Sequence, residues 1–388
     1  MGKPPRFDVD KKRVAYVSTY PPRECGIANF TKDLIDAIDV LREFKQSLVV
    51  TINEEGATYN YDRRVRFQIE RDSVDDYIQA ARYINLSKIS LVNLQHEFGV
   101  FGGTWGKHIN SFLEDLKKPV VTTLHTLLPE FESTAQKVLE NIVHHSASII
   151  VMTGTALRLL KNCNVNREKI SVIPHGCPDV PFINSEKPKV SLGLKGRIIL
   201  STFGLINRGK GIQYVIRALP SLIKKEPRIL YLIIGETHPE VRKFEGERYR
   251  KSLMKLVDEL KLRKHVRFHN RFLRKQELTR YLQATDIYIT PYINRNQISS
   301  GTLVYALGTG KAIISTPYLH AEEALADGRG LFCRFRNPAS ITESIERLLE
   351  DSELRLDLER KAYTYSRNFT WLKIAEKYVN LFNSLLKD

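Results

Sequence analysis

The chain has no apolar run of the roughly 18 to 20 residues that a bilayer span requires. Its amino terminus, MGKPPRFDVDKKR, lacks the apolar segment of a secretory signal. A cytoplasmic location is therefore expected. Cysteine is scarce: Cys25, Cys163, Cys177 and Cys333 lie far apart in no metal-ligand spacing, so reduced thiols are expected rather than disulfides or zinc. No HExxH helix, nucleophile elbow or cluster of metal-spaced carboxylates occurs, and neither a metal nor a cofactor is expected. The phosphate-binding glycine fingerprints are missing as well. The loop Tyr20–Gly26 has one glycine where a dinucleotide site carries G-x-G-x-x-G, and Arg208-Gly-Lys-Gly is not followed by the Ser or Thr of a Walker loop.

What is present is length, positive charge and a pattern that starts twice. A chain of 388 residues with 42% apolar content exceeds the usual single core and points to two α/β domains. The net charge of +16 invites a nucleic-acid reading. However, the densest basic stretch, Lys261–Lys275, resembles no nucleic-acid-binding motif, so no such partner is expected. Solvated surface and peripheral docking on an anionic membrane face both remain open for it.

Arg13–Thr19 reads as a strand feeding the loop Tyr20–Gly26 and a helix with Ile27, Phe30, Leu34, Ile35, Ile38 and Leu41 on one face. Arg197–Gly204 repeats the scheme, feeding Leu205–Gly211 and a helix over Ile212–Ile223. Further strands are predicted at Leu91–Leu94, Val120–Leu124 and Ser148–Met152, then at Leu230–Ile234, Val266–His269, Ile287–Tyr292 and Ala312–Ser315. Helical patterns separate them, which predicts two doubly wound, largely parallel sheets. Pro178–Lys189 reads as a linker, and the expected division is 1–182, 183–366 and a terminal helix over 367–388 that packs back on the first domain.

In such sheets a ligand lies beyond the carboxyl ends of the strands, so two facing domains would enclose a cleft. Loops predicted to reach it carry Gly26, His96, Glu97 and His125 from the first domain. From the second come Gly204, Arg208, Lys210 and the stretch Ile289–Gly330. Within that stretch Ser299-Ser300-Gly301-Thr302 opens a short apolar helix at Leu303–Leu307, whose first amides and dipole favour an anion. The same residues also suit a plain helix cap. Lys210 can sit beside a diphosphate or in solvent. His125 is placed at the cleft by the pattern, as a general acid, a hydrogen-bond donor or a cap, and His96-Glu97 carries the same alternatives.

At these residues the chain resembles the retaining, nucleotide-sugar-dependent glycosyltransferases of the GT-B fold, specifically family four. Pro21-Pro-Arg-Glu-Cys-Gly-Ile-Ala28 resembles the family's amino-terminal glycine loop, Leu124-His125 its mid-domain histidine, Ile173-Pro-His-Gly176 its linker turn, and Lys210-Gly211 the end of its diphosphate-binding loop. Leu205 stands where the family carries arginine, which leaves Arg208 as a substitute. The family's pair of glutamates, one on the donor sugar and one on the ribose, falls on Gln297 and Tyr305, with Glu322 or Glu323 in the next loop as replacement carboxylates. Gln297 can still hydrogen-bond sugar hydroxyls, whereas Tyr305 can only pack or stack. The resemblance implies transfer of a hexose, glucose or mannose in type, from a nucleotide diphosphate to a hydroxyl acceptor. Ser299 to Thr302 would be the diphosphate turn, Lys210 and Arg208 the charge-stabilising residues, and His125 would orient sugar or acceptor. A phosphorylase, a sugar-nucleotide epimerase and a non-catalytic regulator are the alternatives.

Overall fold

A computed structural model describes residues 11–161 and 165–387, which leaves Cys163 outside the described residues. The chain forms two compact units. One comprises residues 1–176 together with 371–388, the other 177–370.

The first unit is built on seven parallel strands: β1 Val14–Ser18, β2 Leu48–Asn53, β3 Val65–Glu70, β4 Leu91–His96, β5 Val120–Leu124, β6 Ser148–Val151 and β7 Ile170–Val172. Their spatial order is β3-β2-β1-β4-β5-β6-β7, so the winding reverses between β1 and β4. Strands β1, β2, β4, β5 and β6 are buried along their whole length. Helices cover both faces of a parallel sheet, so apolar residues stand on both faces of these strands, with buried polar residues such as Thr51, Asn93 and Thr122 among them. β3 sits at the edge and alternates half-buried with exposed residues.

The terminal helix, Trp371–Leu385, belongs to this first unit and lies along the helix Gly26–Leu41. It docks through the Trp371 ring, 5.2 Å from Phe30 and 5.5 Å from His175, and through Phe382 on Phe44. The Tyr378 hydroxyl reaches Thr123 at 2.9 Å. Gly176 makes the docking possible, because a Cβ there would lie 2.3 Å from the Trp371 ring.

The second unit has six parallel strands: β8 Ile198–Phe203, β9 Ile229–Ile234, β10 Val266–His269, β11 Ile287–Thr290, β12 Ala312–Ser315 and β13 Leu331–Phe332. The order is β10-β9-β8-β11-β12-β13, with its reversal between β8 and β11. Alternate residues feed two cores. Leu200, Tyr231, Ile233, Ile287 and Ile289 join Val215, Leu219 and Ile345 on one face. Ile199, Leu230, Leu232 and Tyr288 join Leu303, Leu307 and Tyr318 on the other.

Several predicted elements change at their ends. β11 stops at Thr290 instead of Tyr292, because Pro291 offers no N–H to continue the ladder. β4 runs two residues further than predicted, to His96, which makes that histidine a strand residue instead of a loop residue. The short helix before β12 begins at Gly301, with Ser300 as its cap. Strands β2, β3, β7 and β13 were not expected.

Candidate active site

In the second unit, the point of reversal lies between the ends of β8 and β11, and three segments converge there. The first is Gly204, immediately after β8, with φ +121°. A Cβ on Gly204 would stand 3.1 Å from the Thr302 methyl and 3.3 Å from the Lys210 ammonium, so only glycine leaves this space open. The second is the turn Arg208–Lys210, which precedes the helix Ile212–Lys225 and carries Lys210 inward. The third is the start of the helix Gly301–Gly308, where the Ser300 hydroxyl accepts the Leu303 N–H at 3.3 Å.

Lys210 Nζ donates to the Tyr292 hydroxyl at 2.5 Å and lies 4.2 Å above the ring centroid. Tyr292 in turn meets Thr302 Oγ1 at 2.7 Å, and Thr302 meets Ser300 Oγ at 3.1 Å. Burial alone would push the Tyr292 phenol up. The charge and hydrogen bond of Lys210, with bonds from Thr302 and Ser300, outweigh it and hold the phenol below its ordinary value. Its ring stacks on Tyr318, with centroids 5.1 Å apart and planes 17° apart. The Ser300 N–H is already engaged, donating to His320 Nδ1 at 2.7 Å. That bond makes Nδ1 an acceptor.

The remaining second-unit candidates are dispersed. Arg208 turns outward, 60% exposed, to pair with Glu245 at 3.2 Å and to cover the Tyr249 ring. The structure therefore brings Lys210, Gly204, Ser300, Gly301 and Thr302 together without Arg208. Gln297 donates its amide to the Ser299 carbonyl at 2.6 Å, folding back into its own loop. Tyr305 is half-buried with its ring 6.3 Å from Phe203. Glu322 is 44% exposed, 3.9 Å from Arg295, and the Glu323 carbonyl accepts a bond from Arg329.

In the first unit, the reversal between β1 and β4 places His96 at the crevice by topology, yet its ring is fully buried. It stacks on Phe101 at 5.6 Å and meets Phe98 edge-on, and neither ring nitrogen has a hydrogen-bond partner among the described residues. Burial drives its pKa down to about 3. His125 was expected to stand at the cleft; instead it is 5% exposed, under the Phe30 ring at 4.7 Å. Its pKa is likewise pulled to about 3, by burial and by the neighbouring His175 and His96. Gln95 donates to Asn93, which turns its carbonyl oxygen to His125 Nε2 at 2.8 Å. With Gln95 Oε1 as its partner, Nε2 carries the proton and the imidazole is neutral.

Glu97 accepts the Thr126 hydroxyl at 2.5 Å and the N–H groups of Phe98 and Gly99. Burial still raises its carboxyl above the ordinary value. Gly26 opens the helix Gly26–Leu41, and a Cβ there would meet nothing. Tyr292, His320 and Gln95 fall within the strand end and loops expected at the crevice, but no role was expected of them individually. Tyr292 left the clearest signal, as the residue after the proline that ends β11 at the reversal point. Among the described residues no cluster of His, Cys, Asp or Glu is arranged to hold a metal ion, and no helix is long and apolar enough to cross a membrane.

Comparison with known proteins agrees with this architecture. Residues 184–365 match the family described as glycosyl transferases group 1, and residues 43–179 match Glycosyltransferase Family 4. An uncharacterized glycosyltransferase of Methanocaldococcus jannaschii is 25% identical over 322 residues, 78% of each chain. A D-inositol 3-phosphate glycosyltransferase of Corynebacterium efficiens is 26% identical over 288 residues, 68% of this chain and 65% of the relative. Among solved structures, sucrose-phosphate synthase from Thermosynechococcus elongatus superposes with a TM-score of 0.78 at 16% identity, covering 97% of this chain and 99% of that one. HepE of Anabaena, in complex with UDP and glucose, gives 0.76 at 14% identity, covering 96% and 100%. The fold is GT-B, with two Rossmann-like parallel-sheet domains.

Proposed function

The chain belongs to the group 1, family four glycosyltransferases, and from that premise we propose a retaining enzyme that moves a hexose from a nucleotide diphosphate to a hydroxyl acceptor. The observation that carries the proposal is the Lys210 ammonium, held at the start of the helix Gly301–Gly308 beside the space that Gly204 leaves open. A diphosphate entering that space meets a cation, two hydroxyls and the positive end of a helix. These groups are fixed before reaction and act on charge that grows as the sugar–phosphate bond breaks. The acceptor hydroxyl attacks from the face the diphosphate leaves. Among sugars, a glucose or mannose type is favoured because nothing in the sequence demands an N-acetyl pocket. The acceptor is a glycan, a lipid or a small molecule.

Lys210 is the principal electrostatic residue in this reading. Arg208 is a secondary one that must leave Glu245 to reach the phosphates. His125 contributes a fixed Nε2–H bond to Gln95, which positions the end of β4 rather than moving a proton. The test is a panel of UDP-, GDP- and ADP-sugars, read by thermal stabilisation and by nucleotide release with added glycan or lipid acceptor. A charge-assisted bond contributes about 1.5 to 3 kcal/mol, so Lys210→Ala should lower turnover roughly 10- to 100-fold. Unchanged turnover would remove Lys210 from the mechanism.

One observation favours a second reading, a nucleotide-binding regulator without transfer. Gln297 spends its amide on Ser299, and Tyr305 packs beside Phe203, so neither supplies the carboxylate that the family uses on sugar and ribose. Nucleotide binding without transfer to any acceptor would select it.

A further inference from the structure

Tyr292 does more than fill the core beneath the site. Lys210 has only protons to give, so the Tyr292 oxygen accepts at 2.5 Å, and the neutral phenol must pass its own proton on to Thr302 Oγ1 at 2.7 Å. Thr302 Oγ1 lies 3.1 Å from Ser300 Oγ, which also accepts the Leu303 N–H and hydrogen-bonds with the Tyr292 and Tyr318 phenols. Four residues from three segments thus share one hydrogen-bonded cluster, anchored by the ammonium. The Tyr292 ring cannot turn away, because it stacks on Tyr318, whose own hydroxyl is 3.3 Å from Thr290.

We propose that Tyr292 is a positioning residue for the donor's diphosphate: its phenol fixes the Lys210 ammonium against the start of the helix Gly301–Gly308, and loss of the phenolic proton weakens diphosphate binding. The proposal rests on the donor-site reading above. A phenolate would pair with Lys210, cancel the charge offered to the phosphates, and reverse the donor direction at Thr302. The titratable groups facing Tyr292 are Lys210 from the turn after β8, Tyr288 from β11 and Tyr318 from the segment after β12. His320 acts on the same relay through the Ser300 amide. Burial pushes Tyr288 and Tyr318 well up, which leaves Tyr292 as the phenol of the three that titrates first.

The experiment is calorimetric titration of the full chain with UDP, GDP and ADP from pH 7 to pH 10, the tightest binder then being carried through Tyr292→Phe, Thr302→Val and Lys210→Met. With the phenol held below its ordinary value of 10.0, more than half of it is ionised at pH 10, so wild-type affinity should fall at least about 2-fold more than that of Tyr292→Phe over this range, the nucleotide's own titration being common to both. Thr302→Val should move the fall to higher pH, because the phenolate loses a donor. Lys210→Met should bind weakly at every pH with no such fall. Circular dichroism establishes folding, and Thr302→Val carries the test if Tyr292→Phe does not fold. Parallel curves for wild type and Tyr292→Phe, or an unmoved fall in Thr302→Val, would overturn the positioning role while binding at pH 7 upheld the donor site. Failure of the wild type to bind all three nucleotides would overturn both.

Discussion

Replacing Lys311 by methionine should stabilise the second unit at neutral pH and lose that advantage as the medium turns alkaline. Lys311 precedes β12 and is 3% exposed, with its ammonium held by the Gln283 carbonyl at 3.1 Å. Burial lowers its pKa from 10.5 to about 8; Lys189 adds to the lowering, against the opposing pull of Glu359 and Asp286. The unfolded chain therefore binds the proton more tightly than the folded one, and stability rises with pH between about 8 and 10.5. At pH 7 the charged form costs about 3 kcal/mol, falling below about 1 kcal/mol by pH 10. Methionine matches the stem and removes the charge. It also leaves the Gln283 carbonyl unsatisfied, a cost of about 1 to 3 kcal/mol that does not vary with pH.

The pH-dependent part is thus the diagnostic. The stability difference between the variant and wild type should shrink by about 2 to 3 kcal/mol from pH 7 to pH 10. The assay is urea denaturation followed in two channels. Both tryptophans, Trp105 and Trp371, belong to the first unit, so their fluorescence reports that unit, whereas far-ultraviolet circular dichroism registers both. The change should appear in dichroism and leave the fluorescence midpoint still. A difference that is constant across pH, or one that moves the fluorescence transition, would refute the reasoning.

The first unit should instead be acid-sensitive, because His96 and His125 are held neutral with pKa values of about 3. The unfolded chain takes up their protons first, so fluorescence-monitored stability should fall by about 2 kcal/mol per histidine between pH 6.5 and pH 5. His96→Phe should recover its share at pH 5, since the ring stack survives and the ring has no hydrogen-bond partner among the described residues to lose. Gly204→Ala, at φ +121°, would place a methyl against Lys210 and Thr302 and should weaken nucleotide diphosphate binding more than nucleoside binding, as titration of the two would register. Gly176→Ala should displace the Trp371 ring and shift its emission, with a loss of first-unit stability measured in urea.

Much of the scaffold was legible because a strand covered on both faces is a largely apolar run, as at Ile229–Ile234 and Ala312–Ser315. β3 was missed although Val65-Arg-Phe-Gln-Ile-Glu70 alternates apolar and polar residues as a half-buried edge strand should, and β13 because two residues carry no period. Lys210 and Thr302 could be read because local order, a strand, a turn and a helix start, fixes where they stand. Arg208 could not, because its direction depends on Glu245 in a later helix. The burial of His125 likewise depends on Phe30 and Gln95, partners that no local pattern reveals.

The order in which the chain is made has a consequence at the terminal helix. Trp371–Leu385 covers Phe30, Phe44 and Thr123 of the first unit, yet it is synthesised only after the whole of the second unit. During translation the first unit waits with that apolar face uncovered while its neighbour is already able to fold. A nascent chain stalled before Trp371 should therefore be held by chaperones or aggregate, and the helix Trp371–Leu385, made only after the second unit, acts as the closing fastener of the first.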